Sequence, residues 1–293
     1  MILKASLIEK LVIYTIFIIF SFTCILPLIA IISISFSNEM DIALKGYRLI
    51  PHQIDLSGYA FVLKKPMMIL NAYKISFIVC ALGTALSIFI VSGIAYSLSR
   101  HDFKLRKQLS FYVFFIMLFN GGLVPWYMLI AKYLGLKDSI WVLILPYLAG
   151  PWFILVLRTF MRKIPIELIE SCKIDGANEF KIYFMVVLPL SKSGLAAIGL
   201  FILLQYWNDW WLSLLFIEKD GMIPLHSMLY IIMGDIQFLT NSYLIPSTIG
   251  STDMPRESSR MAMAVLAAGP MLCVFPFFQE YFAKGLTMGM LKN

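Results

Sequence analysis

The most regular feature of this chain is a series of long apolar stretches separated by polar segments. Each stretch is close to the roughly 20 residues that a helix needs to cross the hydrocarbon core of a bilayer. The pattern predicts an all-α, polytopic membrane protein with six transmembrane helices and both termini on the same side. The six stretches are residues 11–34, 75–98, 109–130, 140–157, 195–217 and 261–283.

Composition and charge agree with a membrane protein and indicate its orientation. Hydrophobic residues make up 60% of the 293 positions, charged residues only 14%, and the mean hydropathy is +0.83, far from a soluble domain. Of the 24 Lys and Arg residues, 14 fall in segments 1–10, 99–108, 158–193 and 284–293. Because cytoplasmic loops carry an excess of Lys and Arg, we expect both termini to be cytoplasmic. For a chain this apolar we also expect contact with membrane lipid and no nucleic-acid partner.

The order of the segments suggests one transmembrane domain over residues 1–293. It would comprise an N-terminal helix at 11–34, an outer loop at 36–74, core spans within 75–283, and a polar cytoplasmic hairpin at 164–189. The four cysteines show no disulfide framework, and free thiols are expected.

The hairpin at 164–189 is too patterned for an ordinary loop. Pro165 suits the first turn of a helix, and Gly176 offers the positive φ that ends one. A second short helix would then carry one apolar face, which suits docking into a groove on another protein. The alternative is a hairpin that only covers the inner mouth of the bundle. The predicted apolar face consists of Phe180, Tyr183, Phe184, Val187 and Leu188.

This hairpin resembles the EAA loop of permeases from ATP-binding-cassette (ABC) importers. The family pattern is Glu-Ala-Ala, Asp-Gly-Ala, an aromatic residue and a distal Leu-Pro, and here Ser171 and Cys172 replace two alanines with other small residues. Further resemblance to carbohydrate-uptake permeases, in particular those for polysaccharides and uronic-acid oligosaccharides, lies at 120–125, 207–209 and 276–285. The matching hairpin positions are Glu170, Asp175, Gly176, Ala177, Phe180, Leu188 and Pro189, and Ser171 is added to the coupling candidates because of its place beside Glu170.

The resemblance implies a permease subunit of the bacterial inner membrane that imports an oligosaccharide by alternating access. It implies a second homologous permease, two ATPase subunits and an extracytoplasmic sugar-binding protein as partners. The hairpin would couple the chain to the ATPase. Because the chain lacks the Gly-rich P-loop pattern, no cofactor is expected on it, and ATP and Mg²⁺ would bind the ATPase.

A polar and aromatic cluster in the fifth stretch is the candidate substrate or gate region. Aromatic faces stack on sugar rings, and Asn or Asp side chains hydrogen-bond hydroxyl groups. A buried Asp is costly in a membrane unless it faces a cavity or a partner, although it can also cap or pair within a bundle. A Gly-rich break in the third stretch either exposes backbone to a cavity or only kinks the helix. The candidates are Tyr206, Trp207, Asn208, Asp209 and Trp210, with Asn120, Gly121 and Gly122.

Other function classes fit less well. A gradient-driven transporter would need several buried ionisable residues, and only Asp209 qualifies clearly. An enzyme would need a cluster of catalytic acids or histidines at one membrane face, and His52, His101 and His226 are widely separated with no metal-ligand spacing. An ABC permease for a non-sugar solute stays the main alternative. Within the sugar reading, a uronic-acid oligosaccharide such as alginate is expected.

Overall fold

The computed structural model describes residues 7–241 and 255–288, and these are almost entirely helical. Within those ranges the extended pairing is one antiparallel bridge between Ser37 and Ile54. The predicted all-α class is therefore confirmed. The α-helices are α1 Leu7–Ser35, α2 Glu39–Lys45, α3 Ser57–Val62, α4 Pro66–Ser99, α5 Arg106–Leu118, α6 Leu123–Met128, α7 Pro151–Met161, α8 Ile166–Ile174, α9 Glu179–Ile182, α10 Leu188–Leu190, α11 Lys192–Trp207, α12 Trp211–Phe216, α13 Leu225–Asn241 and α14 Glu257–Met288.

Shorter helical turns complete these elements. Two π-helical turns cover Leu129–Tyr133 and Tyr183–Val187, and 3-10 turns cover Ile140–Leu143, Leu145–Tyr147 and Asp220–Met222.

Three of the helices are individually long and apolar enough to cross a membrane. They are α1 from Ile8, all of α4, and α14 as far as Phe278. Three further candidates are pairs of helices bent by 113°, 49° and 82° at a short break, so the described chain has up to six spans. The six-span count and the cytoplasmic placement of the termini stay predictions. The terminal segments 1–10 and 284–293 and the outer segment 218–259 lie partly outside the described residues.

The predicted stretches locate the spans but not their ends. Helix α4 begins at Pro66, nine residues before the predicted start at Ile75, and so takes up the last part of the predicted outer loop. The predicted stretch began after Lys74 because that residue is charged, but one charged side chain does not interrupt a helix. Pro66 fits the first helical position because its missing N–H would have no intrahelical partner there.

One compact unit comprises, among the described residues, 7–66, 231–241 and 255–270. The side chain of Asn38 caps α2 by accepting a hydrogen bond from the Met40 amide at 2.9 Å. The carboxylate of Glu39 then accepts bonds from the amides of Glu257 and Ser258, at 3.0 and 3.1 Å. An acidic group at these free N–H groups offsets the positive end of α14.

The second compact unit comprises, among the described residues, 67–230 and 271–288, and it brings α4, α7 and α11 together. Small residues make close packing possible. A Cβ built on Gly83 of α4 would lie 2.6 Å from the ring of Tyr206, and one on Gly194 of α11 would lie 2.8 Å from the ring of Phe160. Close approach at small residues is a common way for helices to pack in membranes, where burial of apolar surface gives little drive.

Candidate functional site

The first arm of the hairpin is α8, and it ends in a defined turn. The amide of Ala177 donates to the carbonyl of Cys172 at 2.9 Å, and the amide of Gly176 donates to the carbonyl of Lys173 at 3.0 Å. These two bonds form a Schellman motif, which needs a left-handed residue just after the helix. Gly176 occupies that position with φ +77°, so the Asp-Gly-Ala segment is the C-terminal cap of α8.

The second arm begins at α9 and contains a π-helical turn. The side chain of Asn178 caps α9 by accepting from the Lys181 amide at 2.8 Å. The next turn, Tyr183–Val187, makes the wider i to i+5 pattern before α10. A bend of 82° then separates this arm from α11.

The prediction of a single apolar face on the second arm is wrong. Tyr183 and Val187 are buried within the subunit, whereas Phe180 is 75% exposed and Phe184 is half exposed. The wider π turn explains the difference, because the 3.6-residue period used for the prediction does not hold through it. The Tyr183 hydroxyl is also tied inward, 2.6 Å from Oγ of Ser92.

The apex of the hairpin exposes both apolar and acidic side chains. Ile174, the last residue of α8, is 86% exposed, and Phe180 lies just beyond the turn. Two acids are exposed as well: Glu170 lies one helical turn before Ile174 in α8, and Asp175 directly follows Ile174. Ser171 is also exposed, and its hydroxyl donates to the Leu168 carbonyl at 3.0 Å, while Ala177 is half-buried. The predicted coupling residues therefore lie on one hairpin, and their coupling role stays a prediction.

Ion pairs join the hairpin to the segment after α4. Nζ of Lys173 lies 2.6 Å from Oδ2 of Asp102 and 2.8 Å from Oε1 of Glu179. Nη2 of Arg100 lies 2.9 Å from the same Asp102 oxygen, and the Tyr96 hydroxyl donates to Glu179. These five residues form what we call the hairpin ion cluster, which links both arms to α4 and the loop after it.

The electrostatics of this cluster favour its charged form. The hydrogen bond from Lys173, followed by that from Arg100, lowers the pKa of Asp102 to about 2. The bonds to Asp102 and then Glu179 raise the pKa of Lys173. Sequence reasoning missed this cluster, since Asp102 and Lys173 are far apart in the chain. A weak local signal existed in Lys173 and Glu179, which flank the turn with opposite charges.

The fifth-stretch candidates divide into buried and exposed residues. Tyr206 and Trp207 are only 3% and 2% exposed. The Tyr206 hydroxyl donates to the Ile144 carbonyl at 2.9 Å and lies 3.1 Å from Oγ of Ser87. Trp207 packs against Phe77, with ring centroids 5.4 Å apart. These contacts pack the C-terminal end of α11 against α4 and the segment around Ile144.

Asp209 has defined partners, and its neighbours lie closer to the surface. Its carboxylate accepts from the Tyr147 hydroxyl at 2.8 Å and from the Leu212 amide at 3.3 Å, which positions the start of α12. Trp210 is half-buried and stacks on Tyr230 with centroids 4.5 Å apart. Asn208 is exposed. Contact of any of these residues with substrate stays a prediction.

The Gly-rich segment produces a true break in the third stretch. The Asn120 side chain accepts from the Gly122 amide at 2.9 Å, and Gly122 has φ +89°. The flanking helices α5 and α6 diverge by 113° here, and Asn120, Gly121 and Gly122 are exposed. A polar turn is thus available at the end of α5, although it does not contact the Tyr206–Asp209 cluster through any hydrogen bond found among the described residues.

No metal centre occurs in the described part of the chain, where no group of three or more His, Cys, Asp or Glu residues is placed to hold an ion. The expectation that ATP and Mg²⁺ bind a partner stays a prediction.

Comparisons with known proteins agree on one family. Residues 90–288 match the model described as "binding-protein-dependent transport system inner membrane component". The chain is 37% identical over 96% of its length to the polygalacturonan/rhamnogalacturonan transport system permease protein YtcP of Bacillus subtilis, and covers 97% of that protein. It is 36% identical over 92% of its length to Protein LplC of the same organism, and covers 90% of that protein.

A solved structure agrees with the sequence relatives. The crystal structure of a bacterial ABC transporter involved in the import of the acidic polysaccharide alginate contains a chain that superimposes with a TM-score of 0.77 at 28% identity. The match covers 94% of this chain and 96% of that one.

Proposed function

This chain belongs to the family of binding-protein-dependent transport system inner membrane components, and from that membership we propose how it couples transport to ATP hydrolysis and what it carries. It is a multi-pass permease subunit of an oligosaccharide ABC importer in the bacterial inner membrane. The proposal concerns its coupling site, its partners and the chemical class of its sugar.

The observation that carries the coupling proposal is the apex of the hairpin. Ile174 and Phe180 are large apolar side chains exposed on either side of a fixed turn, with the acids Glu170 and Asp175 beside them. Exposed apolar anchors on a short rigid helix suit insertion into a groove on a partner, where their burial would stabilise the complex. The partner groove would belong to the ATPase subunit and would carry basic groups opposite the two acids.

In this arrangement the chain itself performs no chemistry on ATP. Two ATPase subunits hold ATP and Mg²⁺, and their closure moves the two hairpins of a pair of homologous permeases. An extracytoplasmic binding protein delivers the sugar to a cavity between the permeases, which opens alternately to each side. The chain thus supplies half of the pathway.

The proposed cargo is an acidic oligosaccharide built from uronic acids. Support comes from the relatives, one described as a polygalacturonan/rhamnogalacturonan permease and one as part of an alginate importer. Both polymers contain carboxylated sugars. The exposed Asn208 and the half-buried Trp210 are the side chains of the fifth stretch best placed to meet such a ligand.

The experiment compares ATPase recruitment and sugar stimulation in the reconstituted complex. With the binding protein present, oligogalacturonides should stimulate ATP hydrolysis and neutral malto-oligosaccharides should not. The Ile174→Ser/Phe180→Ser variant should lose the ATPase during purification, because its apolar anchors are gone. The matched variant Ile50→Ser removes an equally exposed apolar side chain from the predicted outer loop and should keep it.

Two results would count against these proposals separately. Retention of the ATPase by the Ile174→Ser/Phe180→Ser variant at the wild-type level would reject the hairpin as its docking site. Stimulation by neutral sugars alone would reject the uronic-acid cargo and leave the coupling site unaffected.

A further inference from the structure

A cavity of about 720 Å³ lies beside the hairpin, between the loop after α4 and the ends of α5 and α7. It is distinct from the exposed apex of the hairpin, and the coupling role proposed above does not use it. Helices α5 and α7 pack against each other here, so the cavity has a wall of defined structure. Its lining residues are His101, Asp102, Phe103, Lys104, Arg106, Lys107, Ser110 and Arg158.

The cavity has an excess of positive charge. Lys104, Lys107 and Arg158 form no ion pair with any carboxylate among the described residues. Among the described residues, the guanidinium of Arg106 donates only to Nδ1 of His101, at 3.0 Å, which offers no negative charge. The single acid of the lining, Asp102, is already shared between Arg100 and Lys173 in the hairpin ion cluster. Four cations around one space repel each other unless an anion lies between them.

Two lining residues also have buried polar atoms that no protein group satisfies. Nε of Arg158 and Oγ of Ser110 are both inaccessible to solvent and have no hydrogen-bond partner in the described part of the chain. Both can donate a hydrogen bond, and buried donors are normally paired. Because Nε of Arg158 can only donate, its missing partner is an acceptor, and the surrounding cations favour an anionic one.

The surroundings of the cavity indicate which anion. Leu105, Leu109 and Tyr112, beside the lining residues at the start of α5, expose large parts of their apolar side chains. The basic loop belongs to the face that the charge rule places at the cytoplasmic membrane surface. An anion with an attached hydrocarbon chain satisfies both halves of this site, because its charged group enters the cavity and its chain lies along α5.

We propose that this cavity binds the phosphate of an anionic phospholipid, such as phosphatidylglycerol. The N-terminus of α5 at Arg106 adds the positive end of its dipole to the cationic side chains. Arg158 and Arg106 hold the phosphate from two different helices. The bound lipid would thus hold α5 and α7 together next to the hairpin ion cluster.

The test uses the purified full-length chain without ATPase, so its outcome does not depend on the coupling proposal. Native mass spectrometry measures retention of phosphatidylglycerol against phosphatidylcholine. We expect a preference for phosphatidylglycerol that the Arg106→Gln/Arg158→Gln variant weakens about tenfold or more, as expected for the loss of two cations at a membrane surface. The control Lys181→Gln/Lys192→Gln removes two exposed charges outside the cavity lining and should keep the wild-type preference.

Further arms distinguish the source of the phosphate and guard against misfolding. The charge-conserving Arg106→Lys/Arg158→Lys variant should keep most of the preference. The wild-type chain should also keep its preference for phosphatidylglycerol in excess inorganic phosphate. The Lys104→Gln/Lys107→Gln variant changes two exposed residues, so it should lower this preference without perturbing the fold. Equal weakening by the cavity and control variants would overturn the site. Displacement of the lipid by inorganic phosphate would overturn the lipid proposal and assign the cavity to a free anion. Chemical acylation of Lys104 and Lys107 tests a further alternative. If these lysines are protected only when ATPase is added, the cavity binds an acidic protein surface instead.

Discussion

The turn at Gly176 offers the sharpest test of the coupling hairpin, because its strain can be changed without altering any contact. Gly176 has φ +77°, and a Cβ built on it would meet nothing within 4 Å. The Gly176→Ala variant therefore introduces only the backbone penalty of a left-handed alanine, about 1–2 kcal/mol. We expect the variant to relieve this strain by opening the Schellman turn, which the proposed docking on the ATPase would then have to restore.

This penalty sets the size of the effect. A cost of about 1–2 kcal/mol corresponds to a factor of roughly 5–30 in an equilibrium constant, so affinity for the ATPase should fall by up to that factor. Titration of the permease complex with ATPase subunit, read as sugar-stimulated hydrolysis, measures it as a shift in the half-maximal concentration. The Gly176→Asn variant should recover part of the loss, since Asn tolerates the left-handed region better than Ala.

The chain provides a matched control for this substitution. Gly135 also has a positive φ, +62°, and open space around its Cβ position, but it lies outside the hairpin. Gly135→Ala should lower thermal stability by an amount similar to Gly176→Ala and leave ATPase affinity unchanged. If the two variants shift the titration equally, or if neither does, the argument that the turn must be formed for docking is refuted.

Three further predictions concern the packing of α4 on α11 and the charges of the hairpin ion cluster. Gly83→Ala would place a Cβ 2.6 Å from the ring of Tyr206 and should lower the free energy of unfolding by about 1–3 kcal/mol, measured as a lower melting temperature. Gly93→Ala in the same helix is the control, because its Cβ would meet nothing within 4 Å and the melting temperature should not fall. In a double-mutant cycle on sugar-stimulated ATPase activity, Lys173→Ala and Asp102→Ala should be coupled by about 0.2–1 kcal/mol, and zero coupling would remove the pair from the mechanism. Because the pKa of Asp102 is lowered to about 2, its contribution to stability is present above its ordinary pKa of roughly 4 and is lost as pH falls toward 2. Acid unfolding followed by circular dichroism should therefore differ between wild type and Asp102→Asn above this window and converge below it.

Local signals predicted the turn of the hairpin correctly. Gly176 is placed after a helix-length segment, where a residue free to adopt positive φ is needed, and the structure has a Schellman motif at that position. The break at Gly122 follows the same logic. Such features depend on the conformational freedom of one residue and its near neighbours, so they can be recognised without knowledge of the tertiary fold.

Features that depend on distant residues could not be predicted in this way. The π turn at Tyr183–Val187 changes which aromatic side chains point inward, and its Tyr183 hydroxyl contacts Ser92 of α4, which is distant in sequence. The pairing of Lys173 with Asp102 joins two segments that no local pattern relates. A bend of 49° between the Leu145–Tyr147 turn and α7 likewise lies within the stretch 140–157, which was predicted as one continuous span.

The division of the fifth-stretch cluster shows why a sugar site is hard to assign from one subunit. Tyr206 and Trp207 have the aromatic chemistry that suits a sugar, but their contacts with Ser87, Ile144 and Phe77 account for their burial without any ligand. The side chain of Asn208 is exposed and forms no such contact within the described part of the chain. If the pathway lies between two permeases, residues that face it must be accessible at the surface of each one. Exposure of a polar side chain within an apolar helix pair is therefore a better guide to the pathway here than aromatic composition, and it favours Asn208 over its buried neighbours.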